Sequence, residues 1–350
     1  MKIRLLAIIL ISTISIISFS TIVVNHNIQT TFAATDNNTN KSINQLKSCI
    51  FEYNGAVYKY DENKGNITNF ISSEKAICNP MVSPDGEKVA YNYKIGYSQI
   101  DDMKVCVYDS FTKTSKEFKL DNYYANAVID IGWMDNHTLG VECHVNPSTS
   151  QFFVCDITSE KVIKTYFGSL FTVSPDGKHI LYKENQPHFT NKFKPDRLCI
   201  DDQVVYESDN INNEITTYPL FSNTSRKIAF IEAKDNLKKV ITANVDLSNK
   251  KISKISKVGL SNETYGNLVF DDNDVVSISN NDKKYEIDEL NQNVISTKRT
   301  IDESIEKEKS TKIQRFNNAV VEKFKQDMND DDSKILNHIK KVKWMSYDNF

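Results

Sequence analysis

Glycine is scarce in this chain, with ten residues among 350. Because so few positions carry glycine, one that recurs at the same place in two copies of a phrase is informative about backbone conformation. Basic charge is also in short supply, since 43 lysines and arginines stand against 46 aspartates and glutamates, giving a net charge of −3. The chain therefore lacks a basic face for nucleic-acid phosphates, and we expect no nucleic-acid partner.

The six cysteines form no CxxC pair, and their spacing lacks the density of a disulfide framework. We expect them to be mainly small apolar side chains in strands. One candidate disulfide joins Cys143 and Cys155, which flank the turn-rich segment HVNPSTSQ at 144–151. As opposite members of a predicted hairpin, the two residues would fall within the range of Cα separation that a disulfide tolerates.

Sequence signatures of catalysis and of metal binding are missing as well. The fragment nearest to the nucleophile elbow G-x-S-x-G is GYSQI at 96–100, which ends in isoleucine. The six histidines show no metal-binding spacing, and Cys143 and His144 would point to opposite faces of a strand. The acidic segment 270–276 lacks the glycine and distal glutamate of a calcium loop. We therefore expect no catalytic residue, metal or cofactor, with carboxylates in a central channel as the alternative.

The N-terminus carries a long uncharged run, residues 5–24, behind a short basic start. Such a run is typical of a secretory signal or of a membrane anchor. Small residues predict cleavage after Ala33 or Ala34, and a retained anchor is the alternative. Both predict an exported protein, either secreted or attached to the outer face of the membrane, with a leader at 1–34 and a linker at 35–46.

A ten-residue phrase occurs twice, as VSPDGEKVAY at 82–91 and as VSPDGKHILY at 173–182. In SPDG, proline presets φ at the second position of a tight turn, aspartate tolerates the third, and glycine takes the left-handed conformation that follows. The apolar residues after the turn predict a strand. The residues assigned to these structural turns are Ser83, Pro84, Asp85, Gly86, Ser174, Pro175, Asp176 and Gly177.

Weaker copies of this strand–turn–strand unit begin near residues 131, 218 and 267. A second pattern alternates with them, in which a strand ends in aspartate before a polar turn and another strand. The six aspartates, 42 to 48 residues apart, are Asp61, Asp109, Asp156, Asp201, Asp246 and Asp288. Two alternating strand pairs give four strands in each repeat, which is the signature of a propeller blade.

These repeats resemble the TolB-like, or WD-type, propeller repeat over residues 47–300. The resemblance implies an all-β propeller of six blades, each with four antiparallel strands. The hairpins at Asp135, Asn223 and Asp272 lack proline and glycine and so depart from the motif. The first unit also lacks an evident innermost strand, which residues 43–50 could supply, so closure of the ring stays open.

The periodicity changes from two to near 3.6 after residue 300. Apolar residues on one face of a predicted helix are Ile313, Phe316, Val320, Phe324 and Met328. A second helix is predicted from Ser333, with Ile335, Ile339 and Val342 on one face. We predict a helical extension at 301–350 that packs on the propeller. A helix that touches a membrane or partner, and a partly disordered tail, are the alternatives.

Together these features predict an exported, monomeric propeller of the cell envelope that presents loops to a protein, peptide or glycan ligand. Function is expected where the repeats differ, in loops such as 94–102 and 183–196. Membrane contact is expected only through the N-terminal segment. Two alternatives stay open: the outer domain of a signal-anchored sensor, and a lyase or hydrolase with acids in the central channel.

Overall fold

The computed structural model describes residues 48–93, 103–120, 124–185, 194–261, 264, 266–279, 283–298, 303–325 and 332–345. The predicted leader and linker lie outside these ranges. Within them, no helix is both long enough and apolar enough to cross a membrane.

Strands make up most of the described chain. In chain order they are β1 Ser48–Tyr53, β2 Ala56–Asp61, β3 Asn66–Ile71, β4 Ile77–Val82, β5 Lys88–Tyr93, β6 Lys104–Asp109, β7 Thr114–Lys119, β8 Ala127–Trp133, β9 Thr138–Asn146, β10 Thr149–Asp156, β11 Lys161–Val173, β12 Ile180–Glu184, β13 Arg197–Ile200, β14 Gln203–Glu207, β15 Glu214–Ile215, β16 Leu220–Phe221, β17 Lys227–Lys234, β18 Leu237–Asp246, β19 Lys251–Leu260, β20 Asn267–Phe270, β21 Val276–Ser279, β22 Lys283–Asp288, β23 Asn293–Lys298 and β24 Ile339–Met345. Two helices, α1 Glu303–Phe324 and α2 Asp332–Asn337, stand between β23 and β24.

The strands form antiparallel sheets whose neighbours are consecutive in the chain, except that β24 pairs with β1 and β15 pairs with β17. Sheet I has the order β24-β1-β2-β3, sheet II is β4 to β7, sheet III is β8 to β14, sheet IV is β15 to β19, and sheet V is β20 to β23. Sheet III consists of two four-stranded halves that share β11: Lys161–Gly168 pairs with β10, and Gly168–Val173 pairs with β12. A positive φ of 57° at Leu170 lies in the second part of this strand.

The sheets pack face to face because alternate side chains of each strand point to opposite faces. In β5, Val89 and Tyr91 pack in a buried cluster with Ile50 of sheet I. Ala90, between them, packs with Ile131 of sheet III. Strand β5 therefore contributes to two apolar interfaces, which is the packing expected of consecutive blades.

The predicted strand ends agree closely with the structure. Strands β2, β6, β10, β18 and β22 end at the predicted aspartates. Strand β13 ends one residue earlier, at Ile200, and Asp201 opens the next turn. The repeated phrases span the β4–β5 and β11–β12 connections, and the weaker copies span β8–β9, β16–β17 and β20–β21.

The prediction of a second helix through Val342 is wrong. Helix α2 ends at Asn337, and β24 then pairs antiparallel with β1, so that Ser48 lies opposite Met345. The free backbone groups of β1 favour this pairing, because a partner strand satisfies N–H and C=O groups that an edge leaves open. The expectation that residues 43–50 complete the first sheet also fails in part, since Ser48–Ile50 belong to β1 itself.

Helix α1 covers one face of sheet I. Phe316, Val320 and Phe324 are buried against Phe51 and Tyr53 of β1. Among the residues that the structure describes, the buried members of this apolar cluster come from sheet I and the C-terminal elements. None of these described members comes from sheet V. The helix thus seals the face of sheet I opposite to sheet II.

Candidate binding face and the repeated turns

The connections between strands divide between two ends of the sheets, because neighbouring strands are antiparallel. Turns between first and second strands, and between third and fourth strands, share one end, and they contain two to six residues. We call this the tight-turn end. Connections between second and third strands, and between sheets, lie at the opposite end. Every connection of seven residues or more, namely 94–103, 120–126 and 185–196, is found there, and we call it the long-loop end.

Tight turns of neighbouring sheets contact one another. The backbone N–H of Asp85 donates to Asn136 Oδ1 at 3.0 Å, which joins the turns of sheets II and III. Thr224 Oγ1 donates to Asp274 Oδ2, which joins those of sheets IV and V. These contacts join the tight turns of two pairs of neighbouring sheets.

The two SPDG turns have the same internal geometry. Gly86 and Gly177 have φ of 79° and 71°, in the left-handed region. In each turn the serine hydroxyl donates to the aspartate at 2.5 Å, and it accepts a backbone N–H from five residues further on, at 2.9 to 3.0 Å. The serines are almost fully buried. The polar groups of these turns are thus used internally, which fits a structural role.

The strand-ending aspartates cap their own turns. The carboxylate of Asp109 accepts the backbone N–H groups of Phe111 and Thr112 at 2.9 Å. The same arrangement occurs at Asp61, Asp156, Asp246 and Asp288. The backbone N–H of Thr112 is the main cause that holds the pKa of Asp109 below its usual value.

Asp201 differs from the other five because its side chain is buried. His179 Nδ1 lies 3.0 Å from Asp201 Oδ2, Lys250 Nζ lies 3.1 Å from the same oxygen, and the backbone N–H of Ile180 donates to Oδ1 at 3.1 Å. Burial raises the pKa of Asp201, but these hydrogen bonds outweigh it and hold the pKa below the usual value. Because Lys250 lies in the β18–β19 turn of sheet IV, the contact links sheets III and IV.

Polar groups are buried at the long-loop end of sheets III and IV. Asp196, just before β13, is almost fully buried, and Lys183 Nζ lies 2.7 Å from its Oδ2. The backbone N–H of Ile215 donates to the same oxygen at 2.9 Å. These contacts hold the ends of β12, β13 and β15 together. The flanking loop 183–196 is described only at its two ends.

Glu232 of β17 forms a second buried network beside the first. Both of its carboxylate oxygens are used, one by the hydroxyl of Tyr206 at 2.9 Å and the other by the amide of Asn213 at 2.8 Å. Glu232 and Asn213 are both buried. Because both carboxylate oxygens are paired, this network supports the fold at the long-loop end.

Two carboxylates lie together on β8 and β9. Asp130 and Glu142 are opposite each other in the strand register. Burial, then the charge of Asp130, raises the pKa of Glu142, while a hydrogen bond from Ser150 lowers it. Tyr218, before β16, is half-exposed; partial burial raises the pKa of its phenol, as do the charges of Glu142 and Asp130. This group combines one carboxyl that takes up a proton more readily than usual with a second, nearby acid.

The candidate disulfide between Cys143 and Cys155 is not formed. Cys143 lies opposite Gln151, and Cys155 lies opposite Leu139, so the two cysteines are offset by four residues along the hairpin. Four residues of extended chain correspond to about 13 Å, beyond the reach of a disulfide. Both cysteines are buried and neither forms a disulfide, and burial raises the pKa of Cys155 to about 12.

No cluster of three or more histidine, cysteine, aspartate or glutamate side chains suited to a metal ion occurs among the described residues. Sequence reasoning did not find the pairing of Asp130 with Glu142, although the register of the β8–β9 hairpin could have shown it. It also did not find the exposed ring pair of Tyr124 and Phe167 or the buried Gln151, whose Oε1 has no hydrogen-bond partner, because neither exposure nor an unpaired acceptor can be read from a single strand.

No protein-family model matches the sequence, and no curated protein matches it significantly. Among solved structures, the chain is similar to Hsv2 from Kluyvelomyces marxianus, with 13% identity, a TM-score of 0.46 and coverage of 73% of this chain and 78% of that one. It is also similar to the β-propeller domain of the Trilobed protease from Pyrococcus furiosus, with 13% identity, a TM-score of 0.45 and coverage of 73% and 81%. For TolB from Acinetobacter baumannii the values are 14%, 0.34, 69% and 60%. These likenesses concern a propeller fold alone.

Proposed function

We propose that this chain is an exported six-bladed β-propeller whose long-loop end binds a protein, peptide or glycan of the cell envelope. Sheets I, II and V, sheet IV with its split first strand, and the two halves of sheet III make up six four-stranded units, which supports the blade number. The pairing of β24 with β1 completes the first blade with a C-terminal strand, which takes its innermost place.

The observation that carries the proposal is the grouping of the long connections at one end. Connections at the long-loop end range from two residues, as at 147–148, to twelve, at 185–196, whereas those at the tight-turn end contain two to six. The polar groups of the tight turns are used in their own hydrogen bonds, so that end offers few groups to a partner. Loops set on a rigid sheet scaffold are the usual carriers of binding function.

The position of the N-terminus supports the same orientation. Ser48 lies opposite Asp61 at the tight-turn end of sheet I. A leader that precedes Ser48 therefore joins the propeller at the end away from the long loops. If the leader stays as an anchor, its point of attachment leaves the long-loop end open to an envelope partner. The proposal thus holds for a secreted protein and for an anchored one.

A propeller-based lyase or hydrolase is a second candidate, and the group formed by Asp130, Glu142 and Tyr218 favours it. Two acids in different environments are a common basis for acid–base chemistry. If this candidate is right, Glu142→Gln abolishes turnover of an envelope polymer and leaves its binding unchanged. Equal turnover in the variant and in the unchanged protein excludes this role for Glu142.

Photo-cross-linking from both ends tests the binding proposal. A benzophenone amino acid replaces Ser148 or Asn236, in hairpin tips at the long-loop end, and Phe111 or Leu290, exposed at the tight-turn end. Cells expressing each variant are irradiated, and cross-linked envelope components are identified. We expect adducts from Ser148 and Asn236 and none from the matched positions. Adducts confined to Phe111 and Leu290 contradict the proposal.

A further inference from the structure

Two aromatic side chains remain in solvent side by side at the long-loop end of sheet III. Tyr124, before β8, is 67% exposed, and Phe167 of β11 is 40% exposed. Their ring centroids are 5.8 Å apart, with an angle of 79° between the ring planes. Single exposed apolar residues are ordinary on a protein surface, whereas a contacting pair forms a continuous aromatic surface.

A buried polar side chain lies beside this pair. Gln151 of β10 is directly opposite Phe167 of β11, so the two side chains point to the same face of the sheet, with Cβ atoms about 4.5 to 5.5 Å apart. Gln151 is 97% buried, since its exposed fraction is 3%. Its Oε1 has no hydrogen-bond partner. A buried amide oxygen is normally paired, so an orphan beside an exposed aromatic pair suggests that a ligand supplies the missing donor.

The row of residues around Gln151 is uncharged. Val128 of β8 and Cys143 of β9 complete the row that crosses the sheet to Gln151 and Phe167. Neither a carboxylate nor a basic side chain stands in this row to attract an ion. The chemistry of the row therefore favours a neutral ligand that combines an apolar face with hydroxyl groups.

The feature is also specific to this one unit of the repeat. The residue five positions before the strand-ending aspartate is Gln151 here, and in the other units it is Ala56, Lys104, Asp196, Ile241 and Lys283. A side chain required for the shared packing of blades would recur in several units. Gln151 does not recur, as expected of a group kept for binding.

We propose that Tyr124, Phe167 and Gln151 form a subsite for a neutral sugar ring. The C–H face of a pyranose stacks on the aromatic pair, and a hydroxyl of the sugar hydrogen-bonds to the amide of Gln151. A hydroxyl both donates and accepts, so it satisfies the amide in either orientation. This inference rests on the proposed function and narrows its ligand to a glycan.

Titration of the purified protein with neutral oligosaccharides tests the subsite. Chitotriose, cellotriose and maltotriose are the probes, and calorimetry is the readout at millimolar concentrations. We expect at least one to bind, and Tyr124→Ala and Phe167→Ala to weaken it about fivefold or more, because each removes half of the stacking surface. Phe111→Ala, which removes an exposed ring at the tight-turn end, is the matched control and leaves affinity unchanged.

The substitution Gln151→Leu distinguishes a role of Gln151 in sugar binding from a role in folding. Leucine has a similar volume and removes the orphaned acceptor, so we expect a higher melting temperature together with weaker sugar binding. If Gln151 had only a structural role, its replacement would lower both the melting temperature and the sugar affinity, or change neither. No binding of any probe to the unchanged protein overturns the inference, as does equal affinity in all variants. Binding of an aromatic peptide through the same residues, without sugar binding, overturns the glycan assignment and leaves the proposed function standing.

Discussion

Glycine is required at position 177 for two separate reasons. Its φ of 71° lies in the left-handed region, and a Cβ there would lie 2.0 Å from the carbonyl oxygen of Met134 in the neighbouring turn. Gly65 shares the first property alone, because its φ is 61° but nothing lies within 4 Å of a Cβ. Gly259 has neither restriction. The three glycines therefore separate conformational strain from steric contact.

Alanine substitution at these glycines should follow that order. Gly65→Ala should lower the free energy of unfolding by about 1 kcal/mol through strain alone. Gly177→Ala should lower it by about 3 kcal/mol or more, because backbone has to move as well. Gly259→Ala is the control, with a change of about 0.5 kcal/mol or less. Urea unfolding measures all three, and equal effects at positions 65 and 177 would contradict the close approach of the two turns.

Asp201 should make stability depend on acidity. Because its folded-state pKa lies below the usual value of an aspartate, its ionised form stabilises the fold at neutral pH, and this contribution is lost as the pH falls through the folded-state pKa. We expect Asp201→Asn to be less stable than the unchanged protein at pH 7. The gap should narrow as the pH falls below about 4. Urea midpoints between pH 7 and pH 2 provide the measurement, and a gap independent of pH would count against the ion pairs of Asp201.

At the scale of elements, helix α1 is bound to sheet I by aromatic contacts. Phe316 is 1% exposed, and its ring centroid lies 5.2 Å from that of Phe51 and 5.4 Å from that of Tyr60. At the rim, Lys312 Nζ lies 2.5 Å from Glu62 Oε2. The helix is thus an integral part of the first sheet's packing.

Truncation of Phe316 tests this integration. Phe316→Ala should lower the free energy of unfolding by about 3 to 5 kcal/mol, because it leaves a cavity between the helix and the sheet. Phe111→Ala, at a position 92% exposed, is the matched control and should change stability by about 0.5 kcal/mol or less. Chemical denaturation compares the two variants. Similar small effects in both would show that α1 does not contribute to the core.

The pairing of β24 with β1 leads to a second prediction, on the stability of sheet I. Deleting residues 339–350 removes the strand and opens one edge of β1. We expect a lower melting temperature and association through the exposed edge. Deleting 346–350 alone leaves β24 in place and serves as the control. Light scattering and thermal unfolding report the result, and unchanged behaviour of the longer deletion would argue against the pairing.

The elements differ in how well the sequence predicts them. The hairpins and the strand-ending aspartates follow from local rules of turn chemistry and alternation, and α1 follows from its apolar spacing. Strand β24 does not, because Ile339 and Val342 are three residues apart and so imitate a helix. Its strand conformation is favoured by pairing with β1, almost 300 residues away in the chain, and no local pattern carries that information.

At the scale of the whole molecule, the two ends of the sheets differ in their connections and side chains. At the tight-turn end, polar groups form hydrogen bonds within and between turns, as Asp85 and Asn136 do. The long-loop end carries the connections that vary in length and the side chains that do not recur. The candidate sugar subsite could not be predicted from the sequence, because Tyr124, Gln151 and Phe167 meet only through the register of four strands.

Hydrogen–deuterium exchange of the intact protein, with and without purified envelope fragments, tests the central claim most directly. If the long-loop end is the binding face, amide protection on addition of the fragments falls on 124–126, 144–150 and 234–239. The tight turns at 83–87, 109–113 and 174–178 then exchange at unchanged rates. Protection confined to those tight turns, with the long-loop end unaffected, would contradict the account.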